Sequence, residues 1–168
     1  DFEDRQDGNY TLAQTFPAGG DYYLFADYKP SGANQQLQKI TLNVSGKPAT
    51  AKVYNKAQLS SKVGGYEVKL STADGKFTSG SMQHIAGTIT KGGKTVDPNT
   101  LEDYLGAKAH VVVIGLADKD YLHVHPEVEG NQLDLHATFA KPGIYRCWVQ
   151  FQADGKVQVA DFVLDVAQ

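Results

Sequence analysis

The chain has little of what small extracellular scaffolds and metal fingers depend on. It carries one cysteine, Cys147, in 168 residues, so an internal disulfide and a cysteine-built zinc finger are both excluded on count. Proline is scarce at 6, and no apolar run approaches the roughly 18 residues that a membrane helix requires. Cations do not dominate either. Lys and Arg number 16 against 19 Asp and Glu, for a net charge of −3, which gives nucleic acid and anionic membrane no broad positive field to meet. What is present is ordinary for a folded protein, with 41% hydrophobic and 21% charged residues and 17 Gly. Disorder, collagen and coiled coil do not fit that balance. A start on Asp1 rather than Met reads as a processed product or a fragment.

An internal comparison changes the domain count. Residues 12–28 lie without a gap on residues 135–151, so that Phe16 meets Phe139, Gly20 meets Gly143, Tyr22 meets Tyr145 and Phe25 meets Trp148. With one-residue adjustments, Gly8-Asn9 meets Gly130-Asn131 and residues 40–44 meet 162–166. The second copy is preceded by a stretch, 65–125, that the first copy lacks. The expected organisation is a partial β-module over 1–46, a linker over 47–64 and a complete module over 65–168. Three readings of the half-module stay open: the natural chain begins upstream, a partner chain donates strands, or both halves share one sheet.

Short runs rich in Val, Ile, Tyr and Phe, separated by turn residues, predict strands over 22–28, 39–44, 65–70, 109–116, 121–125, 133–139, 144–152 and 157–166. The fold class is therefore all-β, an antiparallel β-sandwich with hairpin and Greek-key connections. One short helix is expected near 98–105. Asp97 can cap it, Pro98 suits its first position, Leu101 and Leu105 mark an i,i+4 face, and Gly106 ends it.

The histidines are the side chains that suggest chemistry. His123-Val-His125-Pro126 places two imidazoles on one face of an extended strand, about 6–7 Å apart. If residues 117–120 turn the chain, the strand holding His110 runs back beside them, and three imidazoles meet at one pole of the sandwich. Such a set, with Glu127 as a fourth ligand, suits copper or zinc. The competing reading is a structural corner, in which the imidazoles bond backbone and Pro126 ends the strand. His84 looks isolated beside Met82, and His136 aligns with Ala13, so the fold does not require it. Cys147 aligns with Leu24 and has no Cys-x-His-x-Met loop after it, so it reads as a small buried hydrophobe rather than a copper ligand or nucleophile. The recurring aromatics read as core rather than as a sugar-binding ladder.

Three motifs carry a resemblance. Tyr104-Leu-Gly-Ala-Lys-Ala-His110, Leu122-His-Val-His-Pro126 and Phe139-Ala-Lys-Pro-Gly-Ile-Tyr-Arg-Cys-Trp-Val-Gln-Phe151 are similar to those of an extracytoplasmic bacterial β-sandwich family. The resemblance implies an Ig-like or cupredoxin-like sandwich, an extracytoplasmic location (periplasmic, cell surface or secreted) and mostly unassigned roles. The expected function is a non-enzymatic binding module for copper or zinc. The alternative is a structural or assembly subunit, a homo-oligomer or the acceptor of a strand-donating partner chain.

Overall fold

The computed structural model describes residues 3–4, 8–124 and 126–168. Among them the chain is nearly all β, and it divides into two units, Asp1–Lys52 and Val53–Gln168.

In the first unit, β1 (Glu3–Asp4) pairs with β2 (Tyr10–Thr11), and β3 (Gly20–Tyr28) pairs antiparallel with β4 (Gln36–Val44). The Tyr22 hydroxyl donates to the Ala18 carbonyl at 2.9 Å, and its ring lies 4.6 Å from that of Phe16. Gly20 opens β3 at φ 131°, a conformation that a side chain would resist.

The second unit contains β5 (Ser60–Val63), β6 (Tyr66–Ser71), β7 (Phe77–Thr78), β8 (Met82–Lys91) and β9 (Lys94–Thr95). It continues with β10 (Ala109–Gly115), β11 (Tyr121–Val124), β12 (Pro126–Glu129), β13 (Gln132–Thr138), β14 (Gly143–Ala153) and β15 (Lys156–Ala167). One sheet runs β11-β10-β14-β15-β7, and the other runs β12-β13-β8-β6-β5 with β9 against β8. Every pairing is antiparallel except that of β7 with β15. Alternation along the strands sends one set of side chains inward from each sheet. Phe139, Phe151 and Phe162 are fully buried, and Leu133, Leu135, Ile89 and Val68 pack among them, so the two inner faces close over one core. The all-β sandwich expected from the sequence is what forms. The chain leaves the first sheet after Val124 and enters the second at Pro126.

The internal repeat extends to hydrogen-bond register. β14 and β15 pair from Gly143↔Val166 to Phe151↔Gln158, and β3 and β4 pair from Gly20↔Val44 to Tyr28↔Gln36, so all nine pairs of the first hairpin fall on pairs of the second. The corner repeats too. Tyr145 donates to the Lys141 carbonyl at 2.8 Å, and its ring stands 5.0 Å from that of Phe139. Burial is what differs. Phe162 and Phe151 are 0% exposed, whereas Ile40 and Tyr28, at the same places in the first copy, are 44% and 42% exposed.

The helix expected near 98–105 is instead a single 3-10 turn, Pro98–Thr100. Asp97 caps it as anticipated, its carboxylate accepting the Asn99 N–H at 2.9 Å. The turn ends because Leu101 adopts extended backbone and enters the core, while Glu102 bridges to the backbone of Gln152. Leu105, at φ 50° and exposed, does not share its face. Residues 47–64 also hold more structure than bare connecting chain. Gln58 pairs with Val163, Ser60–Val63 forms β5, and the Tyr54 ring covers the Arg146 guanidinium at 4.2 Å. Arg146 also stacks on Trp148 and ion-pairs with Asp161 at 2.7 Å.

Candidate metal centre

A histidine cluster forms on the outer face of the second sheet, assembled by β8 and β13. Along β13, Leu133, Leu135 and Ala137 point into the core, which turns Asp134 and His136 outward. Along β8, Ile85, Gly87 and Ile89 face inward, which turns His84 and Ala86 outward. The register sets His84 opposite His136 and Asp134 opposite Ala86. Three potential ligands thus share one patch of sheet, with the small Ala86 side chain as the fourth corner.

The three side chains bond one another. A carboxylate only accepts, so His84 Nδ1–H and His136 Nε2–H both donate to Asp134 Oδ2, at 2.9 Å and 2.8 Å. The rings meet edge to face with centroids 4.4 Å apart. Asp134 is largely buried, His136 half-buried, and the His84 side chain 63% exposed. Burial works to raise the Asp134 carboxyl, but the hydrogen bonds from His84 and His136 and their charges outweigh it, so the group sits below its ordinary value.

One nitrogen from each imidazole and a carboxylate oxygen lie within 4.8 Å of one another. Ligands of a tetrahedral zinc, with bonds of about 2.0–2.1 Å, stand about 3.3 Å apart. To take an ion, the 2.8–2.9 Å contacts open by about half an ångström, the two imidazole nitrogens, which lie within 4.8 Å of each other, come to the same spacing, and the two bridging protons move to the other ring nitrogens. Beside Asp134 lies an open depression of about 290 Å³ whose polar wall includes Ser71, Thr72, Glu129 and Gln132. It provides an approach from solvent and room for a further ligand.

The residues singled out from the sequence fall differently. His110 projects from the outer face of the first sheet, where its Nε2–H donates to the Tyr104 carbonyl at 2.7 Å and its ring packs edge-on against Tyr104. It is not among the groups that converge with His84. The backbone of His123 pairs with Val112 in β11, and His125 lies outside the described residues. Glu127, exposed on β12, is the cross-strand neighbour of Asp134, which places it on the same outer face as the cluster. Cys147 is 1% exposed, and burial pushes its thiol up to about 12, which removes it from ligand or nucleophile chemistry.

Sequence reasoning missed His84 and His136. Asp134-Leu-His136 carried the same i,i+2 signal as His123-Val-His125, with an aspartate in place of one imidazole. His84 had no such signal, because its partners lie 50 residues on and meet it only through register.

A family model for a domain of unknown function, DUF8832, matches residues 61–168, which include the whole cluster. The chain belongs to that family. No curated protein and no solved structure matches it. The first copy lies outside the matched residues, and there the repeat places Ala13 at the position of His136.

Proposed function

We propose that this protein is a non-enzymatic, extracytoplasmic module that binds a divalent transition metal, copper or zinc, through His84, Asp134 and His136. The observation that carries the reading is the convergence of two imidazoles on one largely buried carboxylate oxygen. Two nitrogens and an oxygen form a donor set that zinc and copper(II) both accept. Met82, the one methionine of the chain, shares the outer face of β8 with His84 and is 62% exposed, which adds a soft donor nearby and favours copper. The extracytoplasmic placing rests on the resemblance of the three sequence motifs. The non-enzymatic reading is supported by the sealed thiol of Cys147.

Calorimetric titration of chelator-stripped protein with Zn(II) and Cu(II) tests the reading. One ion per chain is expected, with affinity falling about 10–100-fold or more in His84→Ala and Asp134→Asn. His110→Ala should leave binding unchanged. Binding lost in a His123→Ala/His125→Ala variant but kept in His84→Ala would move the centre to the His-Val-His segment. Absence of binding in the unmodified protein would end the metal reading.

A further inference from the structure

Met82 stands on the same outer face as the histidine cluster, and its chain neighbour helps to fix it there. Gln83 turns the other way, its amide oxygen accepting the Thr78 N–H at 3.0 Å and its amide nitrogen donating to the Thr78 hydroxyl at 2.6 Å. Alternation then sends Met82 and His84 outward together, about 6–7 Å apart along β8. The register sets Met82 opposite Thr138 and His84 opposite His136, so Met82 is also the diagonal neighbour of His136, a separation that a long side chain spans. Three rows follow one another along the sheet: Asp134 with Ala86, His136 with His84, and Thr138 with Met82. The two imidazoles lie between the carboxylate and the thioether.

Each ring gives one nitrogen to Asp134, His84 through Nδ1–H and His136 through Nε2–H. A neutral imidazole that donates from one nitrogen carries a lone pair on the other, and the two nitrogens face away from each other across the ring. The lone pairs of His84 Nε2 and His136 Nδ1 are therefore directed away from Asp134, and the next row on that side holds Met82. Given the reading of the cluster as a metal centre, the geometry points to a second donor set on its other side, Met82 Sδ with His84 Nε2 and His136 Nδ1, which takes copper(I). A thioether and two imidazoles suit a soft monovalent ion, whereas the hard carboxylate of Asp134 suits a divalent one. With copper(I) bound, both hydrogen bonds to Asp134 stay in place. No proton moves, and the carboxylate serves by orienting the two rings.

Anaerobic competition of the full chain against the coloured copper(I) chelator bicinchoninate, with ascorbate keeping the ion reduced, is the test. Copper(I) affinity should fall about tenfold or more in Met82→Leu and in His84→Ala. Zn(II) affinity should be unchanged in Met82→Leu, a volume-conserving swap at a 62% exposed position. X-ray absorption at the copper edge should show sulfur scattering in the copper(I) protein and none in Met82→Leu, since Cys147, the one other sulfur of the chain, is sealed in the core. Absence of copper(I) binding in the unmodified chain, equal affinity in Met82→Leu, or a sulfur signal that survives the substitution overturns the inference, as does full copper(I) affinity in His84→Ala. Zn(II) titrated into the same samples separates the two readings. Divalent binding intact with copper(I) indifferent to Met82 overturns this inference alone, whereas Met82-dependent copper(I) binding without divalent binding upholds it and ends the role of Asp134 as a ligand.

Discussion

Asp134 holds its place through two opposing influences, and their balance sets how the cluster responds to acid. Its carboxyl is lowered in the folded protein, so the stability it contributes is fully present above the ordinary aspartate value of 3.8 and is lost as pH falls through the lower folded value. The denaturation midpoint of the unmodified protein should therefore lie above that of Asp134→Asn at neutral pH, with the gap closing below about pH 4. A gap independent of pH would show that packing alone holds the site. Arg146 offers a second residue-scale test. Its guanidinium is held between Tyr54 and Trp148, donates to the Phe162 carbonyl at 3.2 Å and pairs with Asp161, which water already reaches. Removing it leaves a carboxylate free to hydrate, so Arg146→Ala should cost about 1–2 kcal/mol in equilibrium unfolding, mostly from lost stacking and packing.

β3, β4, β6, β10, β11, β13, β14 and β15 were legible from alternation and turn residues, whereas β8 and the short β1, β2, β5, β7, β9 and β12 were not. In β8, Gly87 and Ala86 interrupt the run of β-formers: Gly87 faces inward, where an added Cβ would meet the Leu133 side chain at 3.4 Å, and Ala86 leaves room at the cluster. Missing that strand is what made His84 look isolated. The helix failed for the opposite reason. Its capping signals were real, but burial of Leu101 outweighed an i,i+4 pattern whose second member, Leu105, stays in water. The repeat, by contrast, was readable residue by residue because turn glycines and corner tyrosines are fixed by backbone geometry. The two tyrosine corners can now be compared directly. Tyr145→Phe should lower the stability of the second unit by about 0.5–1.5 kcal/mol, while Tyr22→Phe should speed exchange in the first hairpin and leave the second unit's midpoint unchanged.

At the scale of the molecule, the two units differ in how much apolar surface they cover. The sandwich unit seals three phenylalanines, and the hairpin unit leaves Ile40, Leu37, Tyr23 and Tyr28 at least 40% exposed. Unfolding should therefore be resolved into a low-stability transition for Asp1–Lys52 and a cooperative one for Val53–Gln168. Zinc or copper should raise only the second, by about 2.7 kcal/mol at a hundredfold excess over the dissociation constant. Differential scanning calorimetry with and without metal distinguishes this from a single transition that shifts as a whole.

The sealed thiol of Cys147 has a use that its chemical silence conceals. It sits on β14 in the middle of the sandwich core and is the one sulfhydryl in the chain. A thiol reagent can reach it only when the sheets part, so the labelling rate at low denaturant should track opening of the sandwich and be indifferent to fraying of the first hairpin. The protein thus carries a built-in clock for its own opening, and metal bound at His84, Asp134 and His136 should slow it.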